Sequence, residues 1–446
     1  MIRAISSFHW RAAKIYRTRN KRKFASHLVK SVINKPQNDA RLRRAAALLV
    51  KEKMYDDALH LCEQLLDRDV AQYWATYKSF VEELSVHRNT EGCIKVALFN
   101  DTDFRVNIGC RLTSQGLKQA ILRTFPDAAI TSIGFDFAAF RKKYGASVVR
   151  EPEATALQER LVHAYGQTAF DTIVASDFIL LQPEGSLDDE TSLEGLATFF
   201  TPVMVARGLG KPYAVLNGTI PIYRDERDDY LHQLFKSLRF VAARDKISAK
   251  HHGMTFLPDA AFLRIAPDAV GPRDGCLITT GARNDSGEDI RIFESALAAC
   301  DSLSLRPVVL TRAADRFATF ENEVISRGGI FAETASIEMA ADIISRCRLH
   351  IGGRYHMAIL STLCRVPSLL FDVRTHKNQW LAQHSPLVRL VDPESDIAAT
   401  AETWLLHRTQ AHTSGSDGYE TFLRDAYGMD QMSWGRGKAK SSNWSG

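Results

Sequence analysis

Apolar residues recur along this chain in two rhythms. Between residues 39 and 90 they fall three and four apart, as in "ARLRRAAALLVKEKMYDDALHLCEQLLDRD", which predicts amphipathic helices. Tyr55–Asp56–Asp57–Ala58 followed by Leu61 and Leu65 reads as one tetratricopeptide-type hairpin. No second copy follows at a fixed period, so a helical appendage is expected rather than a repeat array. From residue 93 the rhythm changes to short apolar runs alternating with helical stretches. Strands are expected at Ile94–Phe99, Ala129–Phe135, Phe178–Gln182, Tyr213–Asn217 and Phe240–Ala243, with helices such as Thr113–Thr124 and Leu193–Arg207 between them. "APDAVGPRDG", 266–275, interrupts the pattern. A second alternating run follows, with strands at Cys276–Thr280, Pro307–Leu310, Leu349–Ile351 and Ser368–Phe371. Alternation of this kind predicts mostly parallel sheets covered on both faces.

The expected organisation is therefore a basic segment at 1–38, a helical hairpin region at 39–90, a Rossmann-like domain at 93–265, a second at 275–411, and a terminal helix and flexible tail at 412–446. Two such domains would face each other across a cleft. Ligands bind outside the carboxyl ends of parallel strands, where helix N-termini point.

Composition changes this picture at one end only. The 446 residues are 45% hydrophobic and 24% charged, and no apolar run is long enough to span a bilayer. The N-terminus has no secretory h-region. Residues 1–38 hold ten Lys or Arg and no acid, leaving 47 basic against 52 acidic groups in the other 408. With Ile2, Ile5, Phe8 and Ile15–Tyr16 between the charges, this segment suits an anionic membrane surface, a transit-like leader or a disordered basic arm. The seven cysteines are scattered without a CxxC pair, as expected of free thiols in a reducing, cytoplasmic setting.

Candidate chemistry gathers at strand-to-helix junctions. "IGGRYHMAILSTLCRVP", 351–367, leaves a strand through two glycines and starts a helix with Arg354 and His356. An arginine fork and a helix N-terminus attract anions, and a histidine two residues on can move a proton near neutral pH. The arginine and the helix end both disfavour imidazolium, so the ring is expected to be neutral until an anion arrives. "DFILLQPEGSLDDETS" ends a strand with Glu184, Gly185 and Ser186. "RFVAARDKIS" ends one with Arg244–Asp245, and "CLITTGARND" with Thr280, Gly281 and Arg283. P-loop, GxSxG, HExxH and GxGxxG motifs are absent. His251–His252 has no partner at metal-ligand spacing and is expected on the surface. Positive charge is confined to the N-terminus, without interleaved aromatics, which argues against nucleic-acid binding.

These residues resemble the polysaccharide pyruvyl transferases. Arg354, His356 and Val366–Pro367 match the family's late R-x-H and VP. "AARDKIS" with Pro258–Asp259 is similar to its mid-chain S-x-R-D-x-x-S and PD, with Ala243 where serine is common. Asn107–Ile108–Gly109 matches an N-x-G turn, Glu184–Gly185–Ser186 looks like a GEGS turn with Pro183 in place of a glycine, and Lys377 matches a lysine after the last core strand. The resemblance covers about 93–390. It implies a glycosyltransferase-B-like fold, no cofactor and no metal, a phosphoenolpyruvate donor and a glycan acceptor. On it, His356 and Arg354 would be catalytic, and Arg244, Lys377, Thr280 and Arg283 would hold the donor. Asn107, Gly109, Glu184, Gly185 and Ser186 would face the acceptor. A lipid-linked acceptor would give residues 1–30 a purpose at a membrane surface. A nucleotide-sugar glycosyltransferase and a non-catalytic scaffold stay open beside this reading.

Overall fold

Twelve strands, each parallel to its neighbours, build two six-stranded sheets. The computed structural model describes residues 93–409 apart from 106, 136–153, 264–272, 281–285, 312–319, 334–335, 373–375, 386 and 393–394, with four isolated helical positions before residue 93. The basic segment, the hairpin motif, Arg283 and the tail expected at 412–446 lie outside the described residues.

The first sheet takes β1 (Lys95–Phe99), β2 (Ala129–Ile133), β3 (Phe178–Leu181), β4 (Tyr213–Gly218), β5 (Val241–Ala243) and β6 (Thr255–Phe256) in the order β2-β1-β3-β4-β5-β6. Its helices are α1 (Ile108–Thr124), α2 (Ala154–Tyr165), α3 (Thr168–Ala175), α4 (Leu193–Phe199), α5 (Thr201–Gly208), α6 (Glu226–Ser237) and α7 (Lys246–His252). The second sheet takes β7 (Gly275–Ile278), β8 (Arg306–Thr311), β9 (Ile330–Glu333), β10 (Cys347–Gly352), β11 (Ser368–Phe371) and β12 (Val388–Val391) in the order β12-β11-β10-β7-β8-β9. Around it lie α8 (Ser286–Leu303), α9 (Glu321–Ser326), α10 (Ile337–Ser345), α11 (Tyr355–Leu363), α12 (Lys377–His384) and α13 (Ile397–Thr409). Both are doubly wound α/β sheets, the class the alternating pattern predicts. The first has the flavodoxin-like order and the second the dinucleotide-fold order.

Central strands are buried end to end. β3 reads FILL, β7 GCLI and β11 SLLF, all without an exposed position. Such runs are what a strand covered on both faces requires. The strands not foreseen from sequence, β6, β9 and β12, all lie at sheet edges, where one side needs no partner and the apolar signal thins. The helix expected over Leu193–Arg207 is two helices meeting at Phe200, with Pro202 in the opening turn of the second. Proline lacks the N–H that a continuous helix would need there.

The two sheets share one hydrophobic cluster. Ile108, Leu112 and Leu117 of α1 join Ala260, Ala261 and Phe262, a 3-10 turn after β6, with Tyr355, Met357, Ala358 and Ile359 of α11. Gly116 lets α1 approach that turn, since a Cβ there would strike the Ala260 carbonyl. The halves are thus fastened by apolar burial, at about 1.5–3 kcal/mol for each large side chain taken from water. Among the described residues no helix is long and apolar enough to cross a membrane.

Candidate active site

Each sheet reverses its winding once, and several of the expected site residues lie at those two points. In the first sheet the reversal falls between β1 and β3, whose carboxyl ends lead to Asn107 and to Glu184–Ser186. In the second it falls between β7 and β10, whose ends lead to Thr280 and to Arg354–His356. Ligand crevices form at such reversals because flanking helices diverge there. Arg244 follows β5, and Lys377 opens α12 after β11.

Arg244 is fully buried. Its Nε donates to Thr219 Oγ1 at 3.0 Å and its Nη1 to Asp259 Oδ2 at 2.8 Å. Asp259 is equally buried and accepts from Thr113 Oγ1 and the Ala261 N–H through its other oxygen, both at 2.8 Å. Burial alone would raise this carboxyl's pKa. The guanidinium and the imidazole of His356 outweigh that and hold it well below the usual carboxylate range. His356 Nε2 lies 3.0 Å from Arg244 Nη1 and 3.2 Å from Asp259 Oδ2. One nitrogen cannot accept from the first and donate to the second at once. The triangle therefore satisfies the ring with or without a proton on Nε2: donating to the carboxylate when it is present, accepting from the guanidinium when it is not. Nδ1 is 3.9 Å from Glu184 Oε1. Neither carboxylate is a neighbour of His356 in sequence, and the fold alone brings them to the ring.

Arg244 Nη2 is buried and has no hydrogen-bond partner among the described residues. A Cβ added at Gly185 would sit 3.4 Å from it and 3.5 Å from Lys377 Nζ. The bare face of Gly185 is therefore the space where these two cations converge. Desolvation, then the charge of Arg244 and to a lesser extent that of Arg354, push the Lys377 ammonium down to about 8, against an upward pull from Glu184 that is weaker than the Arg244 effect and stronger than the Arg354 one. The Tyr355 ring lies beside both cations, 5.0 Å from the Arg244 guanidinium carbon and 6.0 Å from Lys377 Nζ. Glu184 is buried and holds φ +53°, a left-handed backbone that a non-glycine residue adopts at some cost. Such strain puts its carboxylate inside the cluster.

Other expected residues are placed differently. Arg354 caps nothing with its side chain; its Nε donates to Thr280 Oγ1 at 2.6 Å, joining the ends of β10 and β7. Asn107 uses its amide oxygen to cap α1, accepting from the Gly109 N–H at 3.0 Å, so that group is committed to the helix. Ser186 Oγ accepts from Asn100 Nδ2 at 3.0 Å. Gly352 serves the sheet, because a Cβ there would strike Thr279 of the neighbouring segment. Gly109 serves the site: a Cβ there would lie 2.7 Å from His356 Nδ1. Arg244 and Asp245 do not act as a pair. Asp245 caps α7 through the Ser248 N–H at 2.7 Å and meets His376 Nε2 at 3.0 Å from across the domain boundary. Asp259 and His376 are not picked out as candidate site residues by local sequence, where only the "PD" dipeptide marks the first. The group of metal-ligating side chains close enough to share an ion lies elsewhere among the described residues, on α6 and α7.

The family model for polysaccharide pyruvyl transferase matches residues 107–375, which contain every residue named in the triangle. No curated protein matches the chain. Among solved structures, the fold is similar to UDP-GlcNAc 2-epimerase from Methanocaldococcus jannaschii, with 11% identity, 70% of this chain and 93% of that one covered, and a TM-score of 0.42. It is also similar to MnaA of S. aureus solved with UDP, at 9% identity, 71% and 88% coverage and a TM-score of 0.45. Both are distant likenesses of shape and say nothing about chemistry.

Proposed function

The chain belongs to the polysaccharide pyruvyl transferase family, and on that premise we propose that it moves a pyruvyl group from phosphoenolpyruvate to sugar hydroxyls of a cell-surface or exported polysaccharide, closing a ketal across two of them. The observation that carries this reading is the unpartnered, buried Arg244 Nη2 beside Lys377 at Gly185. Phosphoenolpyruvate is small and carries a carboxylate and a phosphate, and a buried donor without a partner suits a ligand oxygen. Arg354, oriented by Thr280, supplies a second fork.

The reaction needs a proton on C3 of the enol phosphate, an acceptor oxygen on C2, and departure of phosphate with the C2–O bond electrons. A second hydroxyl then closes the ketal. Two hydroxyl protons are lost overall; one is balanced by the new methyl group and one by the phosphate. His356 is the proposed acid, its protonated ring supported by Asp259 and its deprotonated ring by Arg244. Glu184 is the proposed acceptor of a hydroxyl proton. Ser186 and the Asn107–Gly109 turn border the acceptor side in this scheme.

The deciding experiment is calorimetry of phosphoenolpyruvate and of nucleotide sugars against the parent and Arg354→Ala. Phosphoenolpyruvate should bind the parent, and the variant should lose about 1.5–3 kcal/mol, the usual worth of a hydrogen bond to a charged group. Binding of a nucleotide sugar alone would replace this reading with glycosyl transfer. The ten cations and no acids of residues 1–38 support a second element: attachment to an anionic membrane carrying a lipid-linked acceptor. The full chain should sediment with anionic vesicles at low salt and a chain lacking residues 1–30 should not.

A further inference from the structure

His251 and His252, expected on the surface as an isolated pair, stand in a cluster that the proposed transfer does not use. Asp228 and His232 lie one turn apart on α6 and share a face. His251 and His252 end α7, which stops at Gly253 in the left-handed conformation. The ring centroids of the three histidines lie 4.6–5.2 Å apart. One ligand atom from each of the four residues lies within 4.8 Å of every other.

The decisive detail is His252, which is 3% exposed. Its Nε2 lies 3.0 Å from the Pro221 carbonyl oxygen. A carbonyl only accepts, so Nε2 carries the proton and Nδ1 carries a lone pair. That Nδ1 is buried with no hydrogen-bond partner among the described residues. A histidine whose far nitrogen is fixed on a backbone carbonyl, with its near lone pair presented to other donors, is the usual arrangement around a bound metal. His251 Nε2 sits 2.8 Å from Asp228 Oδ2, and His232 Nδ1 3.4 Å from the same oxygen. His232 also places Nδ1 3.0 Å from the Asp228 carbonyl oxygen and Nε2 2.8 Å from the His251 carbonyl oxygen. A cation would therefore displace one of these contacts and the proton that His251 Nε2 shares with Asp228, and in exchange take a lone pair from each ring and neutralise the carboxylate.

We propose that Asp228, His232, His251 and His252 form a tetrahedral site for a divalent transition metal of the zinc class, fastening α6 to the end of α7. Three imidazoles and one carboxylate suit that class better than calcium or magnesium, which prefer oxygen. Closing on an ion at about 2.0–2.1 Å from each donor requires small rotations of the exposed His232 and the half-buried His251 and Asp228. The site would be structural. The helix it anchors starts at Asp245, beside Arg244, so the ion would steady the backbone that carries the buried guanidinium.

The test uses the full chain without an affinity tag, stripped with chelator and titrated with cobalt(II), then zinc(II). One equivalent of cobalt should give the strong visible bands of a tetrahedral site, zinc should bleach them, and zinc should raise the melting temperature by several degrees. His232→Ala, on an exposed residue, and His251→Ala should weaken cobalt binding at least tenfold while melting like the stripped parent. Those variants keep the fold testable even if His252→Ala unfolds. Absence of the bands and of a melting shift at millimolar metal would overturn the site, and so would undiminished binding by both variants. Loss of phosphoenolpyruvate binding in the parent would leave it untouched, because no donor group belongs to it.

Discussion

Gly109 and His356 meet across the boundary between the two domains, with no room for a methyl group between them. A Cβ at 109 would lie 2.7 Å from the imidazole Nδ1 and 2.8 Å from the histidine's own Cβ. The second atom is close to the backbone and cannot swing aside. Gly109→Ala should therefore push the ring off Arg244 and Asp259, lowering kcat by about 10²-fold, the usual cost of misplacing a catalytic group by an ångström. Phosphoenolpyruvate affinity should change little. A kcat within threefold of the parent would show that the ring's position does not limit turnover.

His356→Asn tests the proton itself. Asparagine keeps a polar group of similar reach but cannot act as the acid. Turnover should fall by roughly 10²–10⁴ while donor affinity stays within a few-fold. Affinity, melting temperature and turnover measured on one preparation separate this from unfolding. A stable variant that binds donor and turns over normally would remove His356 from the chemistry.

On the proposed reading, Lys377 should set a pH limit on donor binding. Its ammonium is pushed down to about 8, so it loses its proton as pH rises through that value. An anion favours the protonated form, so phosphoenolpyruvate affinity should be full below pH 8 and fall as pH rises through 8, towards tenfold per unit. Lys377→Met should bind weakly at every pH and lose that dependence. The fold responds in the opposite sense: an unfolded lysine keeps its proton to about 10.4, so this residue's destabilising effect is relieved between pH 8 and 10.4. A pH series of calorimetric titrations reads the first effect directly.

Asp259→Asn should be costly to the fold. It keeps the volume but leaves the Arg244 charge buried without its counter-ion. Losing one member of a buried pair costs about 3–5 kcal/mol, readable as a lower urea midpoint. The parent's pH response has a fixed sign. Because the Asp259 pKa is depressed in the folded state, its contribution is complete above about 4 and declines as pH falls towards the folded value. An unchanged urea midpoint in the variant would mean that Thr219 and His356 suffice to hold the guanidinium.

Gly185→Ala separates donor binding from stability. The added methyl would meet Arg244 Nη2 and Lys377 Nζ at ordinary contact distance, 3.4 and 3.5 Å, so the fold should tolerate it. It would occupy the space proposed for a donor oxygen, and donor affinity should fall at least tenfold. Unaltered affinity would move the anion away from Gly185.

The core strands were legible because burial on both faces demands continuous apolar runs, and β11 falls on the stretch read for it, Ser368–Phe371. Edge strands such as β12, whose middle residues are not buried, carry no such mark. In the site, Arg354 and His356 stood out through local sequence, glycines before a helix start. Asp259 did not. It lies 15 residues from Arg244 and 97 from His356, and its importance arises from the fold that joins them. The glycines illustrate the same limit: Gly352 and Gly109 look alike on paper, yet one admits a neighbouring strand segment and the other admits a side chain from the far domain.

The Arg244–His356 contact joins residues 112 positions apart, whereas Arg244 and Asp259 are 15 apart within the first half. A chain made from its N-terminus can bury the ion pair before the histidine has been synthesised, since domains fold as units in the order of synthesis. The imidazole arrives only when the second half is complete and has docked through α1 and α11. During its own biogenesis the protein would thus hold the Arg244–Asp259 pair before His356, Arg354 and Lys377 reach it, and the complete cluster would mark the last step of assembly.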